Sequence, residues 1–138
     1  MSRSILILCT GNSCRSQMAE GYLRKYLPDD QIYSAGIEAH GLNPLAVKVM
    51  AEVGIDISHH SSKLIDALPH IAWDIVITVC DNAREQCPVL PGKHLKFHHS
   101  FNDPATAKGV EEEVLPVYRR VRDAIQEYTA RFAQEHKL

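Results

Sequence analysis

Ser4-Ile5-Leu6-Ile7-Leu8-Cys9-Thr10-Gly11-Asn12-Ser13-Cys14-Arg15-Ser16 reads as a strand, a polar loop and the start of a helix. The run Ser4 to Leu8 is short, apolar and without alternation, the pattern of a strand buried on both faces. From Ser16 the apolar pairs Met18/Ala19, Tyr22/Leu23 and Tyr26/Leu27 keep one helix face, and Pro28 ends it. Working outward, Gln31 to Ser34 is a second strand closing at Gly36. Asn43 before Pro44 is an N-cap with proline at the first helical position, and Gly54 is the stop. Leu45/Ala46, Val49/Met50 and Val53 form the buried stripe between them. Ser61 or Ser62 is expected to cap a short helix through Leu64, Ile65 and Leu68, ended by Pro69. The β-branched run Asp74 to Val79 predicts a third strand, and Leu95 to His98 a weaker fourth. Glu111 to Glu113 suit a helix N-terminus, and Val114, Tyr118, Val121, Ile125, Tyr128 and Phe132 follow at helical spacing. Strands alternating with helices predict an α/β fold: a four-stranded parallel sheet with helices on both faces, in a single domain over 1–138.

Composition narrows the function. The 138 residues carry fifteen Lys and Arg against seventeen Asp and Glu, a net charge of −2. No broad basic face is available for nucleic acid or a membrane surface. Ile5 to Cys9 is far short of a membrane span or a signal-peptide core, so the chain is expected in a reducing cytoplasm. The four cysteines, Cys9, Cys14, Cys80 and Cys87, are then reactive, metal-binding or inert rather than a disulfide framework. None of their spacings is the CxxC of a zinc knuckle. His59-His60 and His98-His99 are adjacent pairs, not the i, i+4 spacing that faces one metal. Most of the histidines read as surface or boundary residues, and no metal is expected.

In a parallel sheet ligands bind beyond the carboxyl ends of the strands. Cys9 follows the first strand, Cys80 the third, and Asp103 lies just after the fourth. The segment Cys9 to Ser16 has the form Cys, five residues, Arg, Ser. Thr10, Gly11, Asn12, Ser13 and Cys14 can aim successive backbone N–H groups inward as an anion cradle at a helix start. Arg15 adds a bidentate clamp for a tetrahedral oxyanion. The same field favours the thiolate of Cys9, which the Ser16 hydroxyl can hold. Asp103, in the turn Asn102-Asp103-Pro104, is placed to act as a general acid.

The run Leu8 to Gly21 resembles the signature of the thioredoxin-coupled arsenate reductases, which share the fold of the low-molecular-weight protein tyrosine phosphatases. The likeness continues through Tyr33 to Gly41 with Asn43-Pro44 and through Val53 to Ser58. Val79-Cys80, Cys87-Pro88, Asn102 to Ala105 and Arg120 to Asp123 complete it, so that it covers nearly the whole chain. The resemblance implies a Cys9 nucleophile on arsenate and a relay that passes oxidation to a surface disulfide. Two thiols becoming a disulfide supply the two electrons that arsenate needs. In the implied order a Cys9–Cys80 disulfide forms first and a Cys80–Cys87 disulfide second, for external thioredoxin to reduce. No bound cofactor is implied, and the protein is read as a monomer. On a continuous helix Cys80 and Cys87 would stand ~10.5 Å apart along the axis. Disulfides rarely span more than ~7 Å between Cα atoms, so the segment Asp81 to Leu95 is expected to rearrange when they pair.

Two other functions stay open on the residues. A phosphatase needs only Cys9, Arg15 and Asp103. In that relative, however, an aromatic residue stands near His40 and a tyrosine follows the Asp-Pro pair; here the equivalents are His40 and Ala105. A thiol redox sensor would use Cys80 and Cys87 but leaves the anion loop unexplained. Cys14 reads as a loop-packing thiol or as a second partner for oxidised Cys9. Some arsenate reductases of this family also carry a potassium site, whose matching positions here are Asn12, Glu20, Ser34 and Lys63. A lysine at the last position suggests that its ammonium replaces the ion and reaches Glu20 and Asn12.

Overall fold

β1 (Ser4–Cys9) is the strand from which the rest is placed. Ile5, Leu6, Ile7 and Leu8 are all fully buried. Successive side chains on a strand point to opposite faces, so both faces of the sheet are covered there. The computed structural model describes residues 2–69, 71–86, 90 and 93–137. Within them, β2 (Gln31–Gly36), β3 (Ile75–Thr78) and β4 (Leu95–His98) join β1 in a four-stranded sheet of order β2-β1-β3-β4. All three pairings are parallel. The helices are α1 (Arg15–Tyr26), α2 (Pro44–Glu52), α3 (Asp81–Gln86) and α4 (Glu111–His136).

The register sets where the chemistry can sit. Cys9 lies opposite Gly36, while Leu8, Thr78 and His98 form a row across β1, β3 and β4. The loops after β1, β3 and β4 therefore leave the sheet on one side. The chain goes from β1 to β2 on one flank, then returns to place β3 on the other. That reversal opens a crevice at the carboxyl ends of β1 and β3.

Local signals explain most elements. Asn43 Oδ1 accepts from the N–H groups of Leu45 and Ala46, at 2.8 and 3.2 Å, and Pro44 follows it as the first helical residue. Gly54 supplies the left-handed turn, with φ of 80°. Ile5, Leu6, Met18, Tyr22, Leu23, Met50, Ile57 and Ile77 are among the large side chains buried outright between sheet and helices.

Two expectations need correction. The short helix predicted after Ser61 or Ser62 is one 3-10 turn, Ile65–Ala67, preceded by Leu64, with no side-chain cap. Ser62 faces elsewhere: its Oγ donates to the Gly11 carbonyl at 2.9 Å. β3 is one residue shorter at each end than Asp74 to Val79, spanning Ile75–Thr78, although backbone hydrogen bonds such as Asp74 N–H to Ser4 O at 2.9 Å and Val79 N–H to Leu8 O at 2.9 Å continue beyond it. As expected, Leu95–His98 form β4.

Candidate active site

The loop from Thr10 to Cys14 turns its carbonyl groups outward. Thr10 O accepts from the Glu38 N–H at 2.8 Å, Gly11 O from His40 at 2.9 Å and Ser13 O from Asn43 at 2.9 Å. Asn12 O accepts from Gln17 Nε2 at 3.1 Å. Among the described residues, none of the N–H groups from Gly11 to Arg15 has a protein acceptor. With the carbonyls tied down outside, these donors form the inner lining, a concave row of partial positive charge. The packing leaves no slack. A Cβ on Gly36 would stand 2.8 Å from Thr10 O and 2.9 Å from Asn12 N, and would strike Glu38 O as well. One on Gly11 would run into the His40 ring.

Asn12 holds the turn. It is fully buried and has φ of 48°, the left-handed region, where asparagine is among the few side chains tolerated. Its Nδ2 donates to Ser16 Oγ at 2.8 Å and to Ser34 Oγ at 3.0 Å. Its Oδ1 accepts from the Lys63 N–H at 3.0 Å and from Gln17 Nε2 at 3.1 Å. Both donors and both acceptor positions are thus used. The directions matter for the nucleophile. Ser16 Oγ accepts from Asn12, so its own hydrogen is free to point at Cys9 Sγ, 3.0 Å away. A hydroxyl donating to sulfur favours the thiolate.

Behind Asn12 stands a buried polar cluster. Ser34 Oγ donates to Glu20 Oε1 at 2.6 Å. Glu20 Oε2 meets Arg24 Nε at 2.9 Å and His60 Nε2 at 3.5 Å. His60 Nδ1 lies 2.9 Å from Gln17 Oε1. The Gln17 amide nitrogen is committed to Asn12 and to the Ser61 carbonyl, so His60 Nδ1 must be the donor in that pair. Burial pushes the His60 pKa down, and the Glu20 charge opposes it. The suggestion for Lys63 is corrected here. It touches Asn12 through its backbone N–H, while its Nζ donates to Ser61 O at 2.9 Å. Burial lowers its pKa, with Glu20 opposing. Among the described residues, the cations in contact range of Glu20 are Arg24 and, when protonated, His60.

At the mouth, Arg15 Nη1 donates to the Phe101 carbonyl at 3.1 Å, and Nη2 lies 3.6 Å from Asp103 Oδ2. The other Asp103 oxygen accepts from the Ala105 N–H at 3.0 Å. Cys9, Thr10, Gly11, Ser13, Cys14, Arg15, His40 and Asp103 line a cavity of about 150 Å³. That is well below the ~300–1,000 Å³ of pockets that enclose drug-sized ligands, and it suits one small anion. Cys14 is buried beneath it. Burial, then the Asp103 and Cys9 charges, hold its thiol far above the ordinary range against the pull of Arg15.

Cys80 is buried too, and its Sγ lies 3.3 Å from Thr10 Oγ1, which also accepts from Asn82 Nδ2 at 3.1 Å. Cys9, Cys14 and Cys80 are free thiols. Cys87 lies outside the described residues, and with it the second disulfide pairing. The structure therefore brings together Cys9, the loop Thr10 to Ser16, Cys80 and Asp103. Sequence reasoning missed Gln17, Arg24, His60, Ser62 and Tyr118, whose hydroxyl accepts from Asn43 Nδ2 at 3.0 Å. One signal for Gln17 was available: a polar residue in the first turn of α1, directly before the apolar stripe that opens at Met18.

Comparison with known proteins agrees with this geometry. The family model of low molecular weight phosphotyrosine protein phosphatase matches residues 4–137. An arsenate reductase of Bacillus licheniformis is 54% identical over 134 residues, covering 96% of each chain. One from Bacillus subtilis is 51% identical over 137 residues, covering 99% of each. Among solved structures, an arsenate reductase in the oxidized state superposes with a TM-score of 0.81 at 28% identity, over 96% of this chain and 98% of that one. A tyrosine phosphatase of Erwinia amylovora shares the fold at 21% identity and a TM-score of 0.77, over 100% of this chain and 95% of that one. The chain belongs to the low molecular weight phosphotyrosine protein phosphatase family, and its half-identical relatives within it are arsenate reductases.

Proposed function

We propose that this protein reduces arsenate to arsenite with its own cysteine thiols and is returned to its dithiol form by external thioredoxin. The observation that carries the reading is the second thiol. Cys80 Sγ lies 3.3 Å from the hydroxyl of Thr10, the residue that follows Cys9. A hydrolase has no use for it, whereas a reductase must find two electrons. Arsenate and phosphate are both tetrahedral oxyanions, and the name borne by the half-identical relatives favours arsenate.

Arsenate oxygens dock on the loop N–H groups and on the Arg15 guanidinium. The Cys9 thiolate attacks arsenic(V), forming a sulfur–arsenic bond, and an arsenic-bound hydroxyl leaves as water with a proton from Asp103. The Cys80 thiolate then attacks Cys9 Sγ. The sulfur–arsenic bond breaks, its electron pair stays on arsenic, and arsenite departs as arsenic(III) from a Cys9–Cys80 disulfide. The Cys87 thiolate attacks Cys80 Sγ and expels Cys9 as thiolate, leaving a Cys80–Cys87 disulfide. A thioredoxin dithiol reduces that disulfide and becomes oxidised in its place. The cycle needs no bound cofactor, runs in a monomer and belongs in a reducing cytoplasm. No described helix is long and apolar enough to cross a membrane. Cys9, Arg15 and Asp103 also suffice for slow cleavage of an aryl phosphate.

The test is arsenite release with thioredoxin, thioredoxin reductase and NADPH, beside hydrolysis of an aryl phosphate on the same preparation. Arsenite formation that depends on arsenate and thioredoxin supports the reading. Aryl phosphate hydrolysis without arsenite formation overturns it.

A further inference from the structure

Most of the histidines read as surface or boundary residues from the sequence, yet His98 has a defined post. His98 ends β4, and its ring is only partly exposed, at 20%. Nδ1 lies 2.7 Å from Thr78 Oγ1, and Nε2 lies 2.9 Å from Asp81 Oδ1. Thr78 is two residues before Cys80 and Asp81 is the residue after it. A single imidazole therefore spans the segment that carries the second thiol. A carboxylate only accepts, so Nε2 carries the hydrogen toward Asp81, and the Thr78 hydroxyl can donate to Nδ1. The neutral ring satisfies both contacts at once in one tautomer.

We propose that His98 is a positioning residue for Cys80. Its ring clasps Thr78 to Asp81 and so fixes the start of α3 and the direction in which the Cys80 thiol points. This rests on the reductase reading for its purpose, but not for its physics. α3 has only six residues, too few to persist through its own hydrogen bonds. Its first turn depends on what it is tied to, and among the described residues its side-chain ties include these. Asn82 reaches Thr10 on the nucleophile's loop, and Asp81 reaches His98 on β4. The first tie sets the distance between the two thiol-bearing segments, and the second keeps α3 from rotating about it. A thiol that must attack the sulfur of Cys9 needs both. Loosening the clasp lets Cys80 turn toward solvent and away from Thr10.

Reactivity of each thiol in the reduced protein tests this without arsenate. Iodoacetamide is added under native conditions, and the modification rate at Cys9 and at Cys80 is read from the same digest by mass spectrometry. His98→Ala and Asp81→Ala are each expected to raise the rate at Cys80 at least threefold, while Cys9 stays within twofold. The double variant should match the single ones, because both break the same contact. His98→Gln, whose amide can still donate to Asp81, should return most of the way to the parent rate. An unchanged Cys80 rate in Asp81→Ala, whose side chain is 63% exposed and can be removed without disturbing the core, overturns the proposal. So does an equal rise at Cys9 and Cys80, which would mean general loosening. Arsenite release by each variant is measured separately. Its absence from the parent protein would remove the reductase reading and leave the clasp standing, and a failed clasp would leave arsenite release intact.

Discussion

Replacing Asn12 by alanine removes the side chain around which the anion loop is built. Four hydrogen bonds go with it, to Ser16, Ser34, Gln17 and the Lys63 N–H. The losses are unequal. Ser16 keeps Cys9, Ser34 keeps Glu20, and the Gln17 amide keeps the Asn12 and Ser61 carbonyls. Only the Lys63 N–H is left without its partner, which costs ~1–3 kcal/mol. The other three contribute ~0.5–1 kcal/mol apiece as net terms. Alanine must also adopt a φ of 48°, a conformation that costs a side chain with a Cβ about 1 kcal/mol. The sum is a destabilisation of ~3.5–7 kcal/mol, a large share of a typical domain's stability. Glycine at the same position loses the same hydrogen bonds but not the backbone term, so it should be the more stable of the two by ~1 kcal/mol. Urea denaturation of the parent, Asn12→Ala and Asn12→Gly separates the two contributions. Oxyanion turnover should fall at least tenfold in both variants, since the Ser16 hydrogen is no longer directed at Cys9. An alanine variant within ~1 kcal/mol of the parent, or a glycine variant no better than alanine, refutes this account of the loop.

Other perturbations address other parts of the mechanism. Cys9→Ser should abolish arsenate reduction and aryl phosphate cleavage together, and Arg15→Lys should lower kcat/KM at least ~10-fold, because a point charge cannot replace the guanidinium fork. Cys80→Ser and Cys87→Ser should stop multiple turnover yet keep aryl phosphate cleavage, and peptide mapping of Cys87→Ser after one turnover should recover a Cys9–Cys80 disulfide. Activity should be equal in sodium and potassium buffers of matched ionic strength, since Glu20 already meets Arg24 and His60; a several-fold potassium activation would contradict this. Hydrogen bonds from Arg119 and then Arg122, with their charges, hold the Glu52 pKa down to about 2, against ~4.3 in an unfolded chain. A depressed carboxyl stabilises the fold above the unfolded value and ceases to as pH falls through the folded one. The stability gap between the parent and Glu52→Gln should therefore be full at pH 6 and close progressively from about pH 4.5 to about pH 2, as read by urea denaturation at each pH.

What was legible in the sequence was local. The chain order of strands and helices follows from contiguous patterns such as Ile5 to Leu8 and the pairs from Met18 to Leu27. The anion loop was readable because Cys9 to Ser16 lie in one stretch, between a strand and a helix that orient them. Its supports come from far along the chain: His60 is 43 residues from Gln17, Ser62 is 51 from Gly11 and Tyr118 is 75 from Asn43. No periodicity encodes such pairs. The segment after Ser61 differs from the sequence pattern because Leu64, Ile65 and Leu68 fit a helix face equally well, while the Ser62 hydroxyl is committed to the Gly11 carbonyl of the loop. Lys63 shows the same limit, since a residue type says that a cation is present but not where its side chain points. Its ammonium goes to Ser61, and its backbone does the work at Asn12.

The central claim is that the chain itself supplies two electrons to one arsenate. Fully reduced protein, freed of external thiol and mixed with excess arsenate, should release one equivalent of arsenite per chain and then stop. The free-thiol count should fall in step from four to two. Arsenite formation without loss of thiols, or loss of thiols without arsenite, would contradict the account.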